Sequence, residues 1–395
     1  MHSAIFQAIS SSLQRHRALW QISPFECHDL PWRDDFPGLA QGLERLNEAE
    51  IAHLVQDEAA AQSWFAQYVE LIDTSSLNWL SKPRQAIEPP FWLLNGVKGR
   101  KSEQIAAFAA QLPRSVTHWL EWCAGKGHLG RVAQYHTQQP ITSIEWQSTL
   151  CHHGQAMADQ LRCQQQFVQA DVLNDNLSHL FNEAKGVMAL HACGQLHLEL
   201  LEQARQHQIE HIFVCPCCYH LISDSAYLGL SEQAKAVGLT LSKRDLKLPL
   251  QQLVTSGQRG RRQRETELLW RLSFSQYVQL LTGESQYTPL PNFAKALLNQ
   301  DYEAFCRWAC QAKGYAFNAR LMSDSLVRGQ GQLALVNTIE LVRQRFRRLL
   351  ELWLVLDRVC FLEEAGYQVS LMAFCDFSVT PRNLLIKAQL APLNT

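Results

Sequence analysis

The chain has 395 residues, 47% of them hydrophobic and 18% charged, and 36 Lys and Arg stand against 37 Asp and Glu for a net charge of -1. This length predicts two to three domains and excludes small disulfide-stapled scaffolds, and this composition excludes disordered and collagen-like chains. Because no bulk positive field exists, any nucleic-acid contact must come from local basic patches, and no stable DNA partner is expected.

The compartment is predicted from the start of the chain and from its cysteines. The first twenty residues mix Arg15, His16 and Arg17 with polar residues and lack the apolar core of a signal peptide. The longest apolar run, 349–362, is broken by charged residues and is shorter than the roughly 20 residues of a membrane span. The 12 cysteines lie mostly in apolar, strand-like segments. We therefore expect a cytoplasmic protein with free thiols and no membrane partner.

The first two predicted regions differ in their hydrophobic periodicity. Residues 1–113 have apolar residues three to four positions apart, which predicts an N-terminal helical region. In residues 114–222, short apolar runs alternate with longer polar stretches, as in a parallel sheet covered by helices. The five predicted strands are 118–123, 141–146, 166–170, 187–191 and 212–215.

The second half of the chain predicts an insertion and the end of the sheet. Residues 223–337 are predicted to form a helical insertion that binds the substrate. Residues 338–395 are predicted to begin with one long helix over 338–365, which ends at Gly366. The two runs after it, 368–374 and 383–388, are joined by a turn and predict an antiparallel pair. The predicted fold class is thus α/β, with a Rossmann-like sheet of seven strands whose last two are antiparallel.

A glycine-rich turn follows the first predicted strand and precedes a helix. It reads Gly125-Lys126-Gly127-His128-Leu129-Gly130, and glycines there allow the backbone to approach a ligand closely. Alone, this spacing suits dinucleotides and adenosylmethionine equally. We expect Gly127→Arg to abolish cofactor binding in a protein that still folds.

Three acids at successive strand ends discriminate between these cofactors. Glu145 ends the second strand, 20 residues after Gly125, where a carboxylate accepts hydrogen bonds from ribose hydroxyls. Asp171 follows the third strand and suits an adenine amino group, and Glu121 precedes the glycines. Together they favour S-adenosylmethionine over NAD. The predicted cofactor contacts are Glu121, Cys123, Gly125, Lys126, Gly127, His128, Glu145, Trp146, Asp171, Val172 and His191.

Several short motifs resemble one family. The segments 121–129, His191-Ala-Cys-Gly194 and Cys217-Cys-Tyr-His220, with Leu356-Asp-Arg358 and Thr380-Pro-Arg-Asn383, resemble signature blocks of class I S-adenosylmethionine-dependent methyltransferases. The family includes the methyltransferase-like proteins labelled ribosomal RNA adenine dimethylase domain-containing, and the glutathione S-transferase C-terminal domain-containing proteins.

The resemblance covers about Gly96 to Ala388. It implies a class I methyltransferase sheet, S-adenosylmethionine as cofactor, and the end of the fourth strand at 191–194 beside the methyl group. One departure is the family's Lys-Lys-x-His-Glu motif, which here reads Lys98-Gly-Arg-Lys-Ser-Glu103 and lacks the histidine.

The run Cys215-Pro-Cys-Cys-Tyr-His220 after the fifth strand has four interpretations. As a metal site it is incomplete, because one six-residue run cannot surround a tetrahedral ion without Cys193 or another ligand, and no metal is predicted. Cys217 is alternatively a nucleophile, as in pyrimidine C5 methyltransferases, with Cys193 as a second thiol.

In the favoured interpretation this run is a shaped wall, because methyl transfer to nitrogen depends mainly on positioning. Carbonyls beside Pro216 accept the hydrogens of a target amine, and Tyr219 stacks on a planar substrate. In the fourth interpretation the cysteines only pack. His191 and His220 are candidate bases near neutral pH. The catalytic candidates are His191, Cys193, Pro216, Cys217, Cys218, Tyr219 and His220.

Clusters of basic residues suggest the substrate. One cluster precedes the helix that starts near Glu265, where positive charge opposes the helix dipole, and another lies at 343–348. The predicted substrate-binding residues are Lys98, Arg100, Lys101, Arg259, Arg261, Arg262 and Arg382. They predict an RNA partner and methylation of tRNA or rRNA at a base nitrogen by positioned direct transfer. The alternatives are a protein methyltransferase, an RNA pyrimidine C5 methyltransferase using Cys217, and an inactive cofactor-binding module. The oligomeric state is not predicted.

Overall fold

The structure is a computed structural model that describes residues 1–73, 79–97, 99–251 and 258–391; the side chains of Gln258, Arg259 and Arg261 also lie outside the described set. The chain divides into two compact units. The first contains Met1–Ser11, Asp73–Leu250 and Leu350–Thr395, and the second contains Ser12–Ile72 and Gln251–Leu349.

The regular elements follow one another in a mixed α/β order. The helices are α1 (His2–Arg15), α2 (Arg17–Trp20), α3 (Pro37–Glu44), α4 (Glu48–Gln56), α5 (Glu58–Phe65), α6 (Arg100–Ala109), α7 (His128–Thr137), α8 (Ser148–Gln160), α9 (Ser178–Glu183), α10 (Gln195–Gln206), α11 (Glu232–Val237), α12 (Gln258–Thr282), α13 (Tyr302–Lys313), α14 (Met322–Arg343) and α15 (Arg347–Glu364). The strands are β1 (Trp119–Glu121), β2 (Ile141–Glu145), β3 (Gln165–Gln169), β4 (Gly186–Cys193), β5 (His211–Cys217), β6 (Ala226–Tyr227), β7 (Leu241–Ser242), β8 (Tyr367–Ala373) and β9 (Leu384–Leu390).

Seven strands of the first unit form one sheet in the order β3-β2-β1-β4-β5-β9-β8. Strands β1 to β5 are parallel, β9 runs antiparallel to β5, and β8 runs antiparallel to β9. This confirms the predicted α/β class and the terminal antiparallel pair. All seven predicted strands are present, with ends that differ by at most two residues.

Burial explains why these strands form. Every residue of β1 and β2 is buried, and Trp119, Met188 and Phe213 pack with Phe108 of α6 and Val132 of α7 in one apolar core. Because parallel strands point the same way, β1 to β5 present their carboxyl ends at one edge of the sheet. The glycine turn and the cysteine run lie at that edge.

One local prediction is wrong. The single helix expected over 338–365 is interrupted, since α14 ends at Arg343 and a 3-10 turn over Gln344–Phe346 precedes α15. The helical insertion expected over 223–337 also contains β6 and β7, which pair as a small antiparallel sheet. These strands are two residues long and leave almost no periodic signal in the sequence.

The Asp357-Arg358 motif of α15 has a structural explanation. The Asp357 carboxylate accepts hydrogen bonds from the amides of Leu230 and Ser231, at 2.9 and 2.8 Å, and from the Tyr227 hydroxyl. Arg358 donates to Nε2 of His197 at 3.1 Å and is 1% exposed. A buried ion pair that is fully hydrogen-bonded fixes the packing of α15 in the first unit.

In the second unit, the regular elements of the described residues are helices. Helices α12 and α13 bury an aromatic cluster that includes Trp270, Phe274, Tyr277 and Phe305. Among all helices that the structure describes, none has both the length and the hydropathy that a membrane span requires.

Candidate active site

The two glycines at the start of the turn have different surroundings. Both have a positive φ, 58° at Gly125 and 65° at Gly127. A Cβ at Gly125 would meet nothing within 4 Å, whereas a Cβ at Gly127 would lie 2.4 Å from the Phe167 ring. Gly125 therefore faces open space and Gly127 is packed inside. The expectation that Gly127→Arg leaves a folded protein is wrong for this reason.

Glu121 lies beneath the turn. It is 2% exposed, and its carboxylate accepts hydrogen bonds from the Gly130 amide at 3.0 Å, the Ser143 hydroxyl at 2.5 Å and the Gln165 side chain at 3.2 Å. Burial raises the pKa of Glu121 to about 7. In this structure Glu121 is saturated by the protein and supports the turn from inside.

Glu145 joins the end of β2 to the same turn. Its two carboxylate oxygens accept the amides of Gly125 at 2.9 Å and of Gln147 at 3.0 Å. The next residue, Trp146, has 66% of its surface exposed, which is unusual for an indole. A carboxylate beside an exposed aromatic face can bind the polar hydroxyls and the flat ring of one nucleoside.

The end of β3 adds a second acid and a second apolar surface. The Asp171 carboxylate accepts the Leu173 amide at 3.0 Å and the Asn174 side chain at 2.8 Å, and these bonds lower the pKa of Asp171. Val172 is buried, whereas Leu173 is 46% exposed. The predicted cofactor contacts between Glu121 and Val172 thus lie on β1, β2 and β3 or on the segments that follow these strands.

The remaining turn residues are held by Arg131 of α7. Arg131 donates to the Lys126 carbonyl at 2.8 Å and to the His128 ring at 3.0 Å. Desolvation and the nearby charges of Arg131 and Lys101 lower the pKa of His128 to about 4. His128 is therefore a neutral hydrogen-bonding group, and the Lys126 side chain is exposed.

A different set of groups lies at the ends of β4 and β5. His191 has a φ of 71°, and its Nε2 lies 2.7 Å from Oε1 of Gln104 on α6. Desolvation, with the charges of Lys101 and Arg382, lowers the pKa of His191. The positive charges of Lys101 and Arg382 therefore both act on this ring.

Three thiols meet where β4 pairs with β5. Cys193 is opposite Cys217 in the strand register, and their Sγ atoms are 3.2 Å apart. Their Sγ atoms and that of Cys218 all lie within 4.8 Å of one another. Hydrogen bonding from Cys217 lowers the pKa of the Cys218 thiol to about 5. Hydrogen bonds with Cys193 and Cys218, together with burial, raise the pKa of Cys217. Pro216 and Cys217 are buried.

The last two residues of the cysteine run differ from expectation. Tyr219 is 1% exposed, lies 5.4 Å beneath the Arg358 guanidinium and is edge-on to His197. It is therefore not available to stack on a substrate, and that predicted role is wrong. Burial and the charge of Lys247 lower the pKa of His220, whose buried Nδ1 has no hydrogen-bond partner within the described residues.

The predicted substrate-binding residues are not all brought together. Arg100 and Lys101 begin α6, and Arg382 follows the turn after β8, all in the first unit. Arg262 is exposed on α12 of the second unit. The side chains of Arg259 and Arg261 lie outside the described residues, as does Lys98.

The basic cluster at 343–348 has another role. Arg343 is 2% exposed and donates to the Trp20 carbonyl at 3.1 Å, and Arg347 pairs with Glu58 at 3.3 Å. Both bonds hold the second unit together, so these two arginines are not a free surface for phosphate. Arg343 and Arg347 therefore do not contribute to the basic surface expected at 343–348, because their side chains turn inward.

Three site residues were not predicted from the sequence. Gln104 holds His191, and Ser143 and Gln165 hold Glu121. All three are uncharged polar residues that the structure buries. Gln104 and Gln165 lie among other polar residues, so the sequence around them gives no signal of this role. Their burial is visible only in the structure, where buried polar groups require partners.

Comparison with protein families gives one match. Residues 100–225 match the model of a family described as "Methyltransferase domain". The matched range starts at α6 and ends beyond the cysteine run, so it contains the glycine turn, the three acids and the three thiols. The match supports the domain and does not support the two narrower protein groups named from the motifs. No curated protein sequence matches the chain.

A search of solved structures gives matches to parts of the chain, three of which follow. An O-methyltransferase family protein from Burkholderia thailandensis has 10% identity, a TM-score of 0.28, and covers 76% of this chain and 62% of its own. Coclaurine N-methyltransferase has 14% identity, a TM-score of 0.27, and covers 71% and 94%. MccD protein has 11% identity, a TM-score of 0.25, and covers 29% and 52%. This chain thus spans less than two thirds of the length of the MccD and Burkholderia proteins.

The glycine turn, the acids at the ends of β1 to β3 and the family match all fall within one segment of the first unit. Residues 100–225, which hold this turn and these acids, are therefore similar to the methyltransferase domain that the family model describes.

Proposed function

We propose that this protein is an S-adenosylmethionine-dependent methyltransferase whose acceptor is RNA, methylated at a base nitrogen. The observation that carries the donor half of the proposal is the open glycine turn. Gly125 has no atom within 4 Å of its Cβ position, and its amide is held by Glu145 next to the exposed Trp146. This cradle lies within residues 100–225, which match the methyltransferase domain model.

The residues present fit the cofactor. Glu145 would accept the ribose hydroxyls, the exposed faces of Trp146 and Leu173 would lie against adenine, and Asp171 would accept its amino hydrogens. Glu121 would support the turn without contacting the ligand, because its oxygens are already satisfied. The cofactor supplies a methyl group activated by the positive sulfonium.

The acceptor half of the proposal depends on the two cations that act on His191 at the end of β4. Lys101 and Arg382 both act on His191, and cations at a substrate entrance attract an anionic backbone. When an exocyclic amino nitrogen of a base takes the methyl group from the sulfonium, the C–S bond of the cofactor breaks and the nitrogen releases one of its own protons. The lowered pKa keeps His191 neutral near pH 7, and since its Nε2 hydrogen bonds to Gln104, Nδ1 is the nitrogen that accepts this proton.

The expected compartment is the cytoplasm, where RNA substrates occur and thiols stay reduced. All 12 cysteines are free, as a reducing compartment requires.

The test is methyl transfer from radiolabelled S-adenosylmethionine into an extract of cells that lack this protein. We expect the label to be lost on nuclease digestion and retained on protease digestion. Label lost on protease digestion would overturn the RNA acceptor and make a protein side chain the substrate.

A variant of His191 and a matched control separate an effect on methyl transfer from an effect on cofactor binding. We expect His191→Asn to bind the cofactor normally and to transfer the methyl group about 100-fold more slowly, as removal of a general base does. Transfer at the wild-type rate would exclude His191 as the base. Glu183→Gln, on the exposed surface of α9, is the control for substitution in the same unit.

A further inference from the structure

We infer that Cys193, Cys217 and Cys218 form a binding site for one thiophilic divalent cation, with zinc as the expected ion. Within the described residues, this is the one group of at least three candidate metal ligands whose ligand atoms all lie within 4.8 Å of one another. The inference is independent of the acceptor proposed above.

The spacing of the sulfur atoms suits a tetrahedral ion. With zinc–sulfur bonds of about 2.3 Å, thiolates around a tetrahedral zinc lie about 3.8 Å apart. The Cys193 and Cys217 Sγ atoms are 3.2 Å apart and no pair in the group exceeds 4.8 Å, so the observed range brackets this value. Shifts of under about 1 Å would bring the three atoms into place.

Two separate chain segments supply the three ligands. Cys217 and Cys218 follow each other at the end of β5, whereas Cys193 ends β4 and is the register neighbour of Cys217. The six-residue cysteine run alone cannot surround an ion. Pairing of the two strands adds the ligand that the run lacks.

The backbone around the thiols is held in an unusual conformation. His191 and Cys218 have φ values of 71° and 47°, in the region that non-glycine residues rarely adopt. The Gly194 amide donates to the Cys217 carbonyl at 3.1 Å, and the Gln195 amide donates to the Leu221 carbonyl at 2.7 Å. These bonds fix both strand ends and turn the three thiols toward one point, so the site is preformed.

The chemistry of the group also suits a metal. The thiolate is the metal-binding form of cysteine, and a bound divalent cation favours ionisation of all three thiols. Three protein ligands leave one tetrahedral position open for water or a substrate atom, the arrangement typical of reactive zinc sites.

The direct test is the metal content of the purified full-length protein. After dialysis against metal-free buffer with a non-chelating reductant, we expect about one zinc ion per chain by mass spectrometry. Cys193→Ser, Cys217→Ser and Cys218→Ser are each expected to lose most of this zinc. Cys163→Ser, which removes a half-buried thiol outside the group, is expected to retain it.

A second measurement uses the wild-type protein, so that it stays decisive if the serine variants fail to fold. Replacement of the metal by cobalt is expected to give thiolate-to-cobalt absorption in the near ultraviolet, with an intensity that corresponds to three thiolates. Protein without metal, zinc retained by all three variants, or a Cys193–Cys217 disulfide in the reduced preparation would overturn the site. Cofactor binding is measured on the same samples, so loss of the metal site and loss of the proposed function are distinguishable.

Discussion

The edge of the sheet that carries the candidate site has two chemically different halves. We call the ends of β1, β2 and β3 the donor half and the ends of β4 and β5 the acceptor half, after the ligands proposed for them. At the ends of β1, β2 and β3 stand the carboxylates Glu121, Glu145 and Asp171, with exposed apolar faces at Trp146 and Leu173. At the ends of β4 and β5 stand thiols and an imidazole under the influence of two cations.

Under the proposed function, this difference would allow one edge of the sheet to bind two different ligands. Carboxylates accept the hydrogens of a neutral nucleoside and repel phosphate, whereas cations attract phosphate. In the donor half, the Glu121 carboxylate and the Gly125 amide already form hydrogen bonds within the protein. In the acceptor half, Nδ1 of His220 is buried and has no hydrogen-bond partner within the described part of the chain.

The strongest way to separate packing from binding in the donor half is to compare two glycines. Gly125→Arg places a side chain in open space, and the left-handed backbone costs only about 1 to 2 kcal/mol. We expect a folded protein whose affinity for S-adenosylmethionine, measured by calorimetry, falls at least about 100-fold. Normal affinity would show that the cofactor does not use this turn.

Gly127→Ala is the matched contrast. Its Cβ would lie 2.4 Å from Phe167, so we expect the free energy of unfolding to fall by about 2 to 4 kcal/mol. Denaturant unfolding of both variants checks the pair, and equal stability of the two would remove the distinction between an open and a packed glycine.

The buried carboxyl predicts a pH dependence of stability. Burial raises the pKa of Glu121 from 4.5 to about 7, so the folded state binds this proton more tightly than the unfolded state. The contribution of this residue to the free energy of unfolding therefore decreases as pH rises from about 4.5 to about 7, by about 3 kcal/mol in total.

Glu121→Gln removes this titration. We expect its stability relative to the wild type to increase by about that amount over this window, measured by denaturant unfolding at a series of pH values. The exposed Glu183→Gln serves as control and is expected to follow the wild-type curve. Parallel curves for Glu121→Gln and the wild type would contradict the buried titration.

A milder change tests the second acid of the donor half. Glu145→Gln retains an oxygen for the Gly125 amide and removes the charge that would accept ribose hydroxyls. A hydrogen bond to a charged group contributes about 1.5 to 3 kcal/mol, so cofactor affinity is expected to fall about tenfold to 100-fold. An unchanged dissociation constant by calorimetry would exclude this contact.

The smallest expected effect concerns the acceptor half. Lys101→Gln with Arg382→Gln is expected to raise KM for RNA several-fold. The slope of log affinity against log salt is expected to fall by about 1 for each phosphate that the protein no longer neutralises. Cofactor affinity is expected to stay unchanged.

Lys185→Gln provides the matched control. Lys185 precedes β4 at the opposite edge of the sheet and forms an exposed ion pair with Glu210 at 3.2 Å. Such a pair contributes little, so the control is expected to keep the wild-type salt dependence. Equal effects from both edges would point to nonspecific electrostatics.

The sequence by itself determined the parts of the molecule that repeat or that depend on backbone geometry. The seven strands follow from alternating apolar runs, and the turn after β1 follows from glycines that a positive φ requires. The position of Glu145 follows as well, since a carboxylate at the end of β2 is fixed by strand length.

Only the tertiary structure decided which of these groups are exposed and which are buried. Tyr219 and Glu121 look available in the sequence and are buried, and Gly125 and Gly127 look equivalent and are not. The Cys193 thiol meets Cys217 because two parallel strands place distant residues in register. Direction, burial and register depend on long-range packing, and neither local periodicity nor spacing contains that information.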